Sequence, residues 1–134
     1  MEARERTVLY YQFESGQSPA RDYRQSIHGA NLKAAIDARI ARFRAGNFGD
    51  SKNVGKGVLE SRIDYGPGYR IYYGVAGDEI ILLHISDKGN QTADIALAQT
   101  YWEDYNKRVR EQKEREKQDE KPKLSKRSPK RSKK

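Results

Sequence analysis

The spacing of hydrophobic residues predicts a strand and two helices in the first third of the chain. Residues 8–13 form a short apolar and aromatic run that is typical of a strand. Ser18 and Pro19 supply an N-cap and a first helical residue for a short helix that ends near Ile27. A second helix is predicted to end at Gly46. Its apolar stripe recurs at helical spacing: Leu32, Ala35, Ile36, Ile40 and Phe43.

A β-hairpin is predicted around residues 66–68, which read Gly-Pro-Gly. Leu59, Ile63 and Ile71 must share its buried face, which fixes the parity of the pairing between the strands. A three-residue loop, or a longer loop of the same parity, satisfies this condition. The three-residue loop would pair Ile63 with Ile71, Arg62 with Tyr72, and Asp64 with Arg70.

A third antiparallel strand and a last helix complete the predicted domain. Gly77 and Asp78 form a tight turn, and residues 79–86 are apolar enough for a strand that is covered on both faces. Asn90 caps a helix with one apolar stripe: Ile95, Ala98, Trp102 and Tyr105. The order predicts an α+β domain, with helices on one face of a mostly antiparallel sheet. The polar face around Arg62, Arg70 and Tyr72 is expected to be open.

Charge divides the chain of 134 residues into two parts. Residues 107–134 carry 14 Lys and Arg against 5 acidic residues, whereas residues 1–106 carry 13 against 14. We therefore predict a folded domain over residues 1–106. Residues 107–134 are predicted to form a charged helical extension and then, from Pro122, a disordered tail rich in Lys and Arg.

Composition narrows the function classes. The chain has no cysteine, so disulfides and thiolate metal sites are excluded, and its two histidines alone do not make a zinc site. No apolar run approaches the roughly 20 residues of a membrane span. We expect a cytoplasmic protein with no metal, no cofactor and no membrane partner.

Two arginines are the first candidates for chemistry. Arg62 and Arg70 on one hairpin can bind phosphate groups and stabilise negative charge at a reacting phosphorus. The alternative is cross-strand ion pairing, with Glu60 near Arg62 and Asp64 opposite Arg70. The pattern leaves both interpretations open.

Four further residues have two interpretations each. Lys52 and Lys56 lie in a glycine-rich loop that can approach a polyanion or can simply be solvated. Tyr72 can stack on an unpaired base or can merely suit a strand. His84 is expected to point into the core, although a register slip would turn it onto the arginine face as a general acid or base.

Three segments together resemble a known family. They are Gly46-Asn47-Phe48-Gly49-Asp50, Lys52-x-Val54-Gly55-x-Gly57-Val58-x-Glu60-x-Arg62, and Tyr65-Gly66-Pro67-Gly68-Tyr69-Arg70-x-Tyr72. The chain resembles the addiction-module killer proteins, which are HigB-like members of the RelE/ParE toxin superfamily in type II toxin–antitoxin systems. The likeness extends from about Tyr10 to Tyr105.

The resemblance implies a RelE-like α+β fold and a function. A toxin of this kind inhibits translation as a ribosome-dependent endoribonuclease, or mRNA interferase, that cleaves mRNA without a metal. Its partners are the ribosome, mRNA and a helix-turn-helix antitoxin. Carried over by position, the resemblance implies that the RNA-binding and catalytic cations are Lys52, Lys56, Arg62, Arg70 and Lys88. A general base is also required, and Glu60, Asp87 or a neutral lysine could supply it. The candidate catalytic residues are therefore Arg62, Arg70, Lys56, Glu60 and Lys88, and the candidate RNA-binding residues are Lys52, Tyr72, Arg42 and Asp87. Two alternatives are a non-nuclease inhibitor like the gyrase-poisoning branch of the superfamily, and a basic RNA- or ribosome-binding module.

Overall fold

The computed structural model of the protein describes the backbone of residues 5–127 and the side chains of residues 5–119. Within these residues the chain forms five strands and three helices. They are β1 (Thr7–Tyr10), α1 (Pro19–Ser26), α2 (Ala30–Arg44), β2 (Ser51–Asn53), β3 (Leu59–Ile63), β4 (Tyr69–Ala76), β5 (Glu79–Asp87) and α3 (Gln91–Arg127).

The two predicted N-terminal helices are confirmed. The Ser18 side chain accepts a hydrogen bond from the backbone N–H of Arg21, and Pro19 is the first residue of α1. After α2 the chain turns at Gly46, whose φ of 81° is a conformation that glycine adopts without steric cost. Both ends therefore follow from local sequence chemistry.

The sheet has the strand order β1-β5-β4-β3-β2. β1 pairs with β5 in parallel, and the other three pairings are antiparallel. The α+β class and the antiparallel meander of β3, β4 and β5 are confirmed. Strand β2 was not predicted, because its three residues, Ser51, Lys52 and Asn53, show no apolar alternation. It forms by pairing with β3.

The hairpin of β3 and β4 has a longer loop than three residues, with the predicted parity. Ile63 pairs with Tyr69, and Arg62 lies opposite Arg70. The pairings predicted for the three-residue loop are therefore wrong, including that of Arg62 with Tyr72. Residues 64–68 stay outside the ladder, because a turn closed by the Gly68 N–H on the Tyr65 carbonyl oxygen, at 2.9 Å, occupies them.

A β-bulge on β5 decides where His84 points. Tyr72 pairs with His84 and Tyr73 pairs with Leu82, so Leu83 has no partner on β4. The extra residue turns His84 onto the same face as Tyr72. The predicted core position of His84 is wrong, and the alternative on the arginine face is correct.

Helices cover both faces of the sheet. Ile36, Phe43 and other residues of α1 and α2 form the main core with one face of β3, β4 and β5. On the other face, Trp102 of α3 packs so closely on Gly74 that a Cβ added there would lie 2.5 Å from the indole ring. The prediction that helices pack on one face only, leaving the polar face open, is therefore wrong for the part beneath α3.

Helix α3 runs past Pro122 to Arg127. The prediction of disorder from Pro122 is thus wrong for residues 122–127, where lysine, leucine and arginine favour a helix; residues 128–134 lie outside the described residues.

Contacts divide the chain into a unit that ends at Trp102 and another that begins at Glu103. In the second unit, Arg108 donates to Asp104 one turn earlier, at 2.7 Å. None of the helices within residues 5–127 is apolar over a length that could span a bilayer.

Candidate functional site

Six polar residues form two neighbouring rows on the sheet face beneath α3, and we call these residues the polar face. They are Glu60, Tyr72 and His84 in the first row and Arg62, Arg70 and Ser86 in the second. Each row takes one residue from β3, β4 and β5. Residues two apart on a strand point to the same side of the sheet, so all six side chains share one face.

The first turn of α3 covers the first row. Gln91 Nε2 donates to Glu60 Oε2 at 2.8 Å. His84 Nε2 donates to Asp94 Oδ1 at 3.0 Å, because an ionised carboxylate only accepts. Glu60 and Tyr72 have no exposed surface. The groups suited to acid–base chemistry are therefore held beneath a helix.

An ion pair joins the two rows. Arg70 Nε lies 3.5 Å from Glu60 Oε2, and the arginine side chain is only 11% exposed. Burial raises the pKa of the Tyr72 hydroxyl, and the negative charge of Glu60 raises it further. Tyr72 is consequently a neutral phenol at physiological pH. The ion-pairing alternative predicted for the arginines is correct for Arg70, although its partner is Glu60 and not Asp64.

Most of the buried polar atoms without a hydrogen-bond partner lie on the polar face. Within the residues described, seven buried side-chain polar atoms have no such partner, and six of them belong to this face. They are Glu60 Oε1, Arg70 Nε, Arg70 Nη1, Tyr72 OH, His84 Nδ1 and Ser86 Oγ. Each buried unsatisfied group costs about 1–3 kcal/mol. Closing α3 over this face is thus less favourable than closing it over apolar residues.

The second row opens onto a cavity of about 520 Å³ at the hairpin end of the sheet. Three cations, Arg62, Arg70 and Lys88, line this cavity. Its walls also include the carboxylates of Asp50 and Asp64 and the loop of residues 66–68. Arg62 and Lys88 are exposed. The cavity is therefore accessible and carries more cations than carboxylates.

The structure brings together six of the nine predicted site residues. Arg62, Arg70 and Lys88 line the cavity, and Glu60 and Tyr72 occupy the first row beside it. Lys52 lies opposite Glu60 across β2 and β3 and is exposed. It extends the first row at the edge of the sheet.

The other three predicted residues lie elsewhere. Lys56 occupies the turn between β2 and β3, with a φ of 55°, at the end of β3 away from Arg62. Arg42 is on α2, which packs on the opposite face of the sheet. Asp87 pairs with Tyr69, which also faces away from the polar face, and its Oδ1 accepts from the Gly89 N–H. Strand alternation separates Asp87 from the site, whereas Lys56 and Arg42 are separated because they lie in a distant turn and on a helix of the opposite face.

Sequence reasoning missed Ser86, Gln91, Asp94 and Asp50 as members of the site. One signal was available for two of them. Gln91 and Asp94 precede Ala98 at intervals of three and four, so they continue the buried stripe of α3 as polar residues. Polar residues on a buried stripe indicate polar partners on the facing sheet.

Comparison with known proteins gives one relative. No family model matches the chain, and no solved structure matches it. Over 73 residues the chain is 50% identical to an uncharacterized protein of Haemophilus influenzae, and the match covers 54% of this chain and 74% of the relative. The chain belongs to the same family as this uncharacterized Haemophilus influenzae protein.

Proposed function

We propose that the protein is the toxin of a type II toxin–antitoxin module, a HigB-like member of the RelE/ParE superfamily that cleaves ribosome-bound mRNA. The observation that carries the proposal is the pair of Arg62 and Arg70, opposite each other on β3 and β4 at an open cavity that Lys88 also lines. A helix-turn-helix antitoxin is its proposed partner.

The cavity suits a phosphodiester. Planar guanidinium groups bind phosphate oxygens through two parallel hydrogen bonds, and lysine adds a point charge. Arg62 supplies an exposed cation, whereas Arg70 is anchored by Glu60. One arginine is thus free to follow a substrate while the other is held in a fixed position.

The polar face also holds groups for the cleavage step. In the proposed reaction the RNA 2′-oxygen bonds to the adjacent phosphorus as the bond from phosphorus to the 5′-oxygen breaks. Glu60 takes the proton of the 2′-hydroxyl, and a protonated His84 gives a proton to the leaving 5′-oxygen. Arg62 and Arg70 stabilise the charge that develops on phosphorus. Asp94 orients the imidazole of His84.

This reaction requires the first turn of α3 to move. Glu60 is fully buried and its Oε2 is occupied by Gln91. The unpartnered atoms of the polar face lower the cost of that movement, since they gain partners when the turn lifts. Binding to the ribosome or to RNA is the proposed trigger.

The burial of Glu60 also favours a second candidate, a toxin that binds without cleaving. If the turn of α3 stays closed, only Arg62, Arg70 and Lys88 meet the ligand, and no base reaches it. Such a protein would be a non-nuclease inhibitor, as in the gyrase-poisoning branch, or a basic RNA- or ribosome-binding module.

Induced expression followed by mapping of RNA 5′ ends separates these candidates. We expect the wild type to arrest growth and to create new 5′ ends within translated messages. Arg62→Ala should abolish both, because it removes a cation that stabilises the charge on phosphorus. Arg62 is exposed, so its replacement should leave the fold intact. Lys56→Ala is the matched control and should act like the wild type, since Lys56 is remote from the cavity.

Three outcomes would contradict the nuclease proposal. An equally active Arg62→Ala variant would remove the role of the cavity. DNA damage with intact messages would favour inhibition of gyrase. Growth arrest with neither new RNA 5′ ends nor DNA damage would favour a binding module. If deletion of residues 122–134 then abolished the arrest, that module would depend on its basic tail.

A further inference from the structure

A second cationic groove lies on the helical layer, between β1, α1 and α2. Its volume is about 340 Å³. Arg21 and Arg24 of α1 and Arg44 of α2 line it, together with Asp37. Because α1 and α2 pack on the sheet face opposite the polar face, this groove is separate from the cavity at Arg62.

The single carboxylate that lines this groove, that of Asp37, is already paired with an arginine. Asp37 accepts two hydrogen bonds from the guanidinium of Arg24, at 2.9 and 2.6 Å. The hydrogen bond from Arg24 lowers the pKa of Asp37, and the charges of Arg44 and Lys33 lower it further. Asp37 therefore sits among three cations, and the groove has an excess of positive charge.

Two arginines of the groove have capacity for a ligand. Arg44 is exposed, and among residues 5–119 no side-chain hydrogen bond or ion pair holds its guanidinium. Arg21 donates through Nη2 to the Gly16 carbonyl oxygen at 3.0 Å and approaches the Asp22 carboxylate only to 3.9 Å. Each can donate hydrogen bonds to a ligand carboxylate without breaking the pair of Arg24 and Asp37.

The groove also has an apolar part. Ile40 is 5% exposed, and Tyr10 of β1 is half-buried beside it. Burial raises the pKa of the Tyr10 hydroxyl, so this hydroxyl is a neutral donor and acceptor. Cations at the rim and apolar surface at the floor suit a peptide that carries both acidic and aliphatic side chains.

We propose that this groove docks an acidic segment of a partner protein, with carboxylates on Arg21 and Arg44 and an aliphatic side chain on Ile40 and Tyr10. A protein segment fits better than RNA, because an aliphatic side chain can pack on Ile40 and Tyr10, whereas a phosphate backbone has no aliphatic side chain to place there. The inference is independent of the nuclease proposal, and the partner would leave the cavity at Arg62 free.

Fluorescence anisotropy with the full chain tests the docking surface. One probe is a labelled decapeptide of alternating glutamate and leucine, and the other is a labelled ten-nucleotide oligouridine. We expect the double variant Arg21→Gln, Arg44→Gln to weaken peptide binding about tenfold or more, through the loss of two charge-assisted contacts. Its binding of oligouridine should change less than about twofold.

The matched control removes the same charge from the other face. The double variant Arg62→Gln, Lys88→Gln should weaken oligouridine binding and leave peptide binding unchanged. Circular dichroism melting checks that both variants are folded. Equal loss of peptide binding in both variants, or peptide binding no tighter than that of a glutamine–leucine decapeptide, would overturn the docking surface. Loss of oligouridine binding in the Arg21 and Arg44 variant would reassign the groove to RNA.

Discussion

The guanidinium of Arg70 lies 3.5 Å from the fully buried carboxylate of Glu60 on the neighbouring strand. This pair is the point at which the closed first row and the open cavity meet. Removing one partner would leave the other charge buried and uncompensated, which typically costs 3–5 kcal/mol, about the scale of a small domain's stability.

We expect Arg70→Ala to lower the free energy of unfolding by about 3–5 kcal/mol. Arg70→Ala combined with Glu60→Gln should cost less than Arg70→Ala alone, because the uncompensated carboxylate is gone. Urea unfolding of the two single variants and the double variant measures the coupling. Additive effects of the two substitutions would show that Arg70 and Glu60 do not stabilise each other.

The first turn of α3 should open more readily when its link to the sheet is removed. Gln91→Ala deletes the hydrogen bond to Glu60, so we expect faster amide hydrogen exchange at residues 91–94. Gln99→Ala is the matched control on the same helix. Gln99 Nε2 donates to the Val54 carbonyl oxygen at 2.9 Å, so its loss should loosen the turn between β2 and β3 instead.

The exchange pattern discriminates between a local cover and a uniformly held helix. Faster exchange over the whole of residues 91–102 in Gln91→Ala would contradict a local opening. An unchanged rate at residues 91–94 would show that Gln91 does not hold the turn.

The pair of Arg24 and Asp37 should make stability depend on pH in acid. The hydrogen bond from Arg24 lowers the pKa of Asp37 below its ordinary 3.8, so its contribution is complete above about pH 4. It is lost as the pH falls through the folded-state pKa. We expect the urea concentration at the midpoint of unfolding to be slightly lower for Asp37→Asn than for the wild type at pH 7. The difference is small because solvent screens this largely exposed pair.

The difference between Asp37→Asn and the wild type should shrink as the pH falls below 3.8, and it should vanish below the lowered pKa of Asp37 in the folded protein, where the wild-type carboxylate is protonated. Asp64→Asn is the control, because among residues 5–119 no side-chain hydrogen bond or ion pair holds Asp64. It should match the wild type throughout. A constant difference between Asp37→Asn and the wild type at every pH would show that the charge of Asp37 is not the cause.

The candidate site was predictable only where short-range chemistry decides it. The parity of the hairpin followed from Ile63 and Ile71 on one face, and it placed Arg62 and Arg70 together on the other. The bulge at Leu83 was not predictable. In a strand that is apolar on both faces, an extra residue does not change the alternation of apolar and polar positions. That bulge moved His84 from the expected core to the polar face.

By itself, the sequence determined the α+β class, the start of α1, the end of α2, and the separation of a nearly neutral domain from a basic C-terminal segment. These features depend on caps, periodicity and composition, which act over a few residues. The tertiary structure alone decided that α3 covers Glu60 and Tyr72, that Glu60 is the partner of Arg70, and that Lys56 and Asp87 lie away from the cavity. Those outcomes depend on strand register and on which face a distant helix buries, and both are set by contacts between residues far apart in the chain.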